Sequence, residues 1–183
     1  MLFPRPLRRV LLPFIAGVAL ASGSVAAQPA PKPLGKFEKF QAFEYADPAG
    51  KVCYLTAEPT KSDSQPAGAK RGDVRLTVSH RPAQKARDEI SFQAGYPLAG
   101  DRRVVATVDQ TKFFELARGV PAAPETRWTR DADMDKALLA ALRSGKEVVI
   151  AGASARGTRT TDNFALAGFS RALDAINKAC GVK

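Results

Sequence analysis

The chain has 183 residues, with 28 Lys and Arg against 18 Asp and Glu, a formal net charge of +10. Aromatic residues make up 8% and charged residues 25%, which excludes a disordered polyelectrolyte and fits a chain able to build a core. The Lys and Arg residues are scattered, with no dense basic run and no aromatic-basic repeat, so a nucleic-acid partner is not expected.

The N-terminus reads as an export signal. Arg5, Arg8 and Arg9 form a positive start, and Val10 to Val25 is apolar and uncharged. Small residues follow, with Val25 and Ala27 at the positions a signal peptidase reads, so residues 1–27 are expected to be a cleaved signal peptide. The apolar run is about 16 residues, short of the ~20 a spanning helix needs, and it contains Pro13. The residues flanking Arg8-Arg9 fit twin-arginine export poorly, and no Cys follows the run to take a lipid. No later stretch is long and apolar enough to span a bilayer, so none is expected after cleavage. Cleavage leaves 156 residues, suited to one domain, and removing three arginines lowers the charge to +7. A basic exported domain can lean on an anionic envelope component, whereas scattered charge can also serve solubility alone.

Residues 28–36 are Pro-rich and read as a leader, flexible or extended, before a domain at 37–183. Phe37 to Tyr45 reads as a first strand. Asp47-Pro48-Ala49-Gly50 is a turn, and Val52 to Thr56 completes a hairpin. Residues 58–72, rich in Pro, Ser, Gly and Lys, read as a loop. Asp73 to His80 alternates, with Val74, Leu76 and Val78 on one side; Glu89 to Ala94 is its partner, with Ile90 and Phe92 facing in. Val104 to Val108 and Phe113 to Leu116 are two more strands with a turn at Asp109-Gln110. Pro121 and Pro124 close the all-β stretch.

Asp131 then caps a helix whose apolar face is Met134, Leu138, Leu139 and Leu142. Asp133 and Asp135 lie in its first turn, and Arg143-Ser144-Gly145 ends it. Glu147 to Ala151 and Thr160 to Ala167 read as paired strands around a small-residue loop, Gly152 to Arg159. The final helix, Ser170 to Cys180, follows Phe169. Phe169, Leu173, Ile176 and Cys180 share one face. The expected fold is mainly β with two helices: an antiparallel β-sandwich-like domain with the C-terminal helix packed against it.

Cys53 and Cys180 are the two cysteines, and an oxidising compartment favours a disulfide between them. Two buried thiols or an intermolecular bridge are the alternatives. His80 is the one histidine, with no acid-base partner evident in the sequence, and reads as a surface or satisfied residue. One histidine and two bridged cysteines cannot supply a zinc site. Asp131-x-Asp133-x-Asp135 opens like a calcium loop, but Lys136 stands where Gly is needed and Leu142 where Glu is needed. Gly152 and Gly157 have the spacing of a phosphate loop without its Lys, and Ser154 lacks the glycine that follows a nucleophile elbow. No catalytic, cofactor or metal residue is expected. Arg156 and Arg159 in the same loop are a candidate anion-binding pair, against the plainer reading of a solvated hairpin. Trp128 reads as a core anchor near the first helix.

The C-terminal third carries a likeness. Ser144-Gly145-Lys146-Glu147-Val148-Val149-Ile150, then Gly152-Ala153-Ser154-Ala155-Arg156-Gly157-Thr158, then Gly168-Phe169-Ser170-Arg171-Ala172-Leu173 leading to Cys180 resembles the invasion-associated locus B family of exported bacterial proteins. The likeness extends over about residues 37–183 and is weaker before 125. Some members carry more cysteines in the N-terminal half, so the resemblance supplies no disulfide pairing here. It implies a periplasmic or outer-membrane-associated protein, linked in some pathogens to host-cell entry, and it implies no catalytic residue. The expected function is a non-enzymatic binding factor whose partner is an envelope protein or an anionic envelope component. The alternatives are a secreted or outer-membrane adhesion factor, and a periplasmic enzyme whose site leaves no sequence trace.

Overall fold

In a computed structural model, residues 30–182 are described; the expected signal peptide at 1–27 lies outside them. Twelve strands and two helices are present among the described residues. They form two antiparallel sheets that pack face to face, as expected, with both helices against them.

The first sheet has seven strands. β1 (Lys32–Phe37), β2 (Phe40–Asp47), β3 (Gly50–Ala57), β5 (Arg75–Arg81) and β6 (Ala86–Gln93) are joined in that spatial order. β10 (Ala123–Trp128) and β9 (Arg118–Val120) complete it. The second sheet runs in the order β4 (Lys61–Gln65), β12 (Arg159–Ala165), β11 (Glu147–Ala153), β7 (Val105–Val108) and β8 (Lys112–Glu115). Alternation explains most of these strands. In β5 Leu76, Val78 and His80 point inward between Arg75, Thr77 and Ser79, and in β6 Ile90 and Phe92 do the same.

The inner faces meet through side chains such as Phe92 of β6 and Phe164 of β12, whose rings stand edge to face with centroids 6.3 Å apart. α1 (Ala132–Ser144) starts where expected, with the Asp131 side chain accepting the Met134 N–H. α2 (Phe169–Cys180) lays Phe169, Ala172, Leu173 and Ile176 into the core beside β2, β3 and β5. The Phe169 ring sits edge-on to Phe40, 5.3 Å between centroids. Gly168 opens this helix with φ +88, and a Cβ there would strike the Phe37 carbonyl, so glycine is required twice over. At the end of α1, Gly145 has φ −82 instead of a left-handed backbone; it is small because Val108 and Ala141 press against it.

Three expectations are corrected. The loop at 58–72 contains β4, whose Lys-Ser-Asp-Ser-Gln has no apolar residue and is held by its pairing with β12. Folded structure begins at Lys32, inside the Pro-rich leader, because β1 pairs with β2 along the sheet edge. The β region continues past Pro121 and Pro124 into β10, an element next to the sheet's last strand, where proline is tolerated.

Candidate functional site

The two cysteines are joined. Cys53 and Cys180 form a disulfide with Cα atoms 6.0 Å apart across a separation of 127 residues. Cys53 is central in β3 and fully buried, so the bond ties the last turn of α2 to the interior of the seven-stranded sheet. It is a structural clasp.

His80 lies directly opposite Cys53 in the β3–β5 register. It is fully buried and satisfied. The Asp88 N–H donates to its Nδ1 at 3.0 Å, so Nε2 carries the hydrogen and donates to Asn177 Oδ1 of α2 at 2.8 Å. Burial pushes its pKa down, opposed by the Asp88 carboxylate. The imidazole thus spends one nitrogen on β6 and the other on holding α2.

The three acids that open like a calcium loop do not converge. Asp131 caps the helix and pairs with Arg130 at 2.8 Å. Asp135 is buried and turned toward the sheet, accepting the Ile90 N–H at 2.9 Å and the Thr129 hydroxyl at 2.5 Å. Burial raises its pKa. It therefore locks α1 onto β6, a role beyond that of a helix-start acid. No group of three or more ligating side chains able to hold a metal occurs among the described residues. Trp128 is not a core anchor: it is half-buried on β10, outside the core cluster, with the Arg118 guanidinium 5.5 Å from its ring centroid.

Several exposed cations stand around the β11–β12 hairpin. This hairpin turns through Ser154 to Thr158; the Ser154 hydroxyl accepts the Thr158 N–H at 3.1 Å, and Gly157 takes φ +88. Ser154 thus holds the turn. Arg156 and Arg159 project from the hairpin exposed, but they line different depressions. Arg159 joins Arg102 and Arg103 around one of about 540 Å³. Arg156 joins Lys70 and Tyr96 around another of about 390 Å³. Among the described residues Lys70, Arg102, Arg156 and Arg159 form no ion pair, and Arg103 reaches only Glu115, at 3.9 Å with both side chains largely in water.

Beneath this rim is a buried polar node. Arg71 donates to Asp162 at 2.6 Å, and the Ser62 hydroxyl donates to the other carboxylate oxygen at 2.6 Å. The Arg71 side chain is 10% exposed and that of Asp162 0%. Arg71 also lies over the Tyr96 ring, 5.4 Å from its centroid, and the Tyr96 hydroxyl pairs with Thr160 at 2.5 Å. Lys70-Arg71 and Arg102-Arg103 are visible in the sequence as adjacent cations. Lys70-Arg71 reaches the hairpin because β4 pairs with β12, a strand of five polar residues that gives no periodic signal, and Arg102-Arg103 reaches it because β7 pairs with β11.

A family model described as invasion associated locus B (IalB) protein matches residues 41–177. The chain belongs to this family. No curated protein and no solved structure matches it. The matched span runs from β2 into the last turns of α2, so it takes in the cationic hairpin and all but β1 and the end of α2 with Cys180. Gly168-Phe169, part of the likeness seen in the sequence, is explained by the helix entry against the Phe37 carbonyl.

Proposed function

We propose that this family member is an exported envelope protein that works by binding, not by catalysis, and that its partner is an anionic component of the envelope. The supporting observation is the ring of uncompensated cations around the β11–β12 hairpin: Lys70, Arg102, Arg156 and Arg159 point into water without acidic partners among the described residues. Such a surface concentrates anions and speeds their encounter. Export is supported by the sequence of residues 1–27, by the disulfide and by the family. No helix among the described residues is long and apolar enough to cross a membrane, which fits a factor held at the envelope through its surface.

Two measurements test this reading. Osmotic-shock fractionation of cells expressing the full chain is expected to release a processed protein with the periplasmic fraction; an unprocessed cytoplasmic protein overturns export. The purified protein is expected to co-sediment with lipopolysaccharide at 50 mM salt and to release it at several hundred millimolar, because the screening length falls from roughly 14 Å to roughly 5 Å over that range. Failure to bind at low salt overturns the anionic partner.

A further inference from the structure

The depression formed by Arg102, Arg103 and Arg159 has a composition that narrows the ligand. Arg159 starts β12 and stands between Gln65 of β4 and Ala153 of β11 in the sheet register. Arg102 and Arg103 come from the segment just before β7, whose Val105 pairs with Ala151. Three guanidiniums from two chain segments therefore share one rim, over a floor of Ala151, Gly152 and Ala153. The floor side chains are small, so a ligand can come close to the sheet. One carboxylate, Asp101, shares the lining, which leaves it with a formal charge of +2.

Charge and shape both favour phosphate. A phosphate monoester carries about −1.5 to −2 near pH 7, with oxygens that a planar guanidinium grips two at a time. A carboxylate brings a single charge and would leave the rim undersatisfied. Past Arg159 the surface continues into a second depression of about 210 Å³, where Gln65 and Thr161 with Asp63 supply the polar groups, the Ser64 hydroxyl being spent on the Pro66 carbonyl and the Ala69 N–H. Hydroxyl and amide groups of this kind suit sugar hydroxyls. Neither lining contains a large apolar side chain able to enter a bilayer, which disfavours a phospholipid headgroup still seated in its membrane.

We propose that this groove binds a phosphorylated sugar, its phosphate held by Arg102, Arg103 and Arg159 and its ring lying over Gln65 and Thr161. The assignment rests on the anionic-partner reading above and gives it a site and a ligand class.

The test titrates the purified full-length protein with glucosamine 6-phosphate, glucuronate and phosphatidylglycerol vesicles, followed by calorimetry and amide NMR shifts. The sugar phosphate is expected to move the amides of Ala151, Gly152, Ala153 and Thr161 and to bind at least tenfold more tightly than glucuronate. R102A/R159A is expected to lose at least tenfold in affinity with an unchanged melting temperature, since both side chains are exposed and unpaired. Lys136→Ala, an exposed unpaired cation on α1, is the control and should bind as the wild type does. Equal affinity for glucuronate, shifts at other amides, full binding by R102A/R159A, or binding of vesicles without the sugar phosphate would each overturn the site. If lipopolysaccharide binding persists undiminished in R102A/R159A, the site falls and the anionic-partner reading stands; if the wild type binds none of the anions, both fall.

Discussion

The helix-covered half and the hairpin half of this molecule are held by opposite chemistry. Under α2 the interior is apolar: Phe169, Leu173 and Ile176 are each at most 1% exposed, and burial of such side chains contributes about 1.5–3 kcal/mol apiece. A disulfide then fastens the helix to β3. At the outer edge of the hairpin half β4 has no apolar residue to bury, although its neighbour β12 sends Phe164 into the core; β4 is held by its ladder and by the Arg71–Asp162–Ser62 node. Apolar contacts tolerate small shifts, whereas a buried ion pair is strongly punished when one member is lost. The hairpin half thus places a charged, geometry-dependent scaffold directly under its exposed arginines, while the helix half places a covalent clasp far from them.

The sharpest way to break this contrast is Arg71→Met. It strands the Asp162 carboxylate, 0% exposed, without its cation. Loss of one member of a buried pair costs about 3–5 kcal/mol. Urea unfolding should show a loss of that size, and adding Asp162→Asn should restore part of it, because the remaining group no longer carries a buried charge. A loss under about 1 kcal/mol would mean that the β4 edge does not depend on the pair.

Cys180→Ser probes the other half. Opening a closed loop of this length is expected to cost about 2–5 kcal/mol in oxidising buffer, and reductant should bring wild type and variant together. The loss should appear as faster amide exchange in α2, with β4 and β12 protected as before. Equal melting temperatures in oxidising buffer would remove the clasp from the comparison.

The same contrast explains what the sequence made legible. Leu76 and Val78 in β5, Ile90 and Phe92 in β6, and Phe169, Leu173 and Ile176 in α2 announce themselves by period, because apolar burial leaves a pattern. The Asp109-Gln110 turn was also readable, and both residues take positive φ, at 47° and 60°. The disulfide needed only two cysteines and an export signal. β4 could not be seen, since its inward Ser62 faces a carboxylate and not the core. For the same reason Arg71 was legible as a charge but not as the partner of Asp162, and Arg102 and Arg103 become neighbours of Arg159 only through the order of strands in the sheet, β7 beside β11, which period does not give. Of the two arginines read as one anion loop, the fold sends each to a different depression.

His80 offers the smallest effect and the finest test of the helix half. Burial is the main cause that lowers its pKa below the ordinary ~6.5; Arg87 lowers it too, while Asp88 and the Asn177 hydrogen bond favour the proton. The fold therefore prefers neutral imidazole. Below about pH 6.5 the unfolded chain takes up a proton that the folded chain resists, so stability falls with pH, by at most ~1.4 kcal/mol per unit, until the folded value is passed. Protonation also ends the Asp88 N–H bond to Nδ1, the contact that fixes the tautomer facing Asn177. His80→Gln should lower stability at pH 7 and flatten this part of the profile between pH 7 and pH 5. Wild type should in addition show lower α2 amide protection factors at pH 5 than at pH 7, with those of the β4–β12 edge unaffected, because Asn177 belongs to α2 alone. Parallel stability profiles for the two proteins would mean that His80 does not report on the helix at all, and that the acid sensitivity of this half must come from another group.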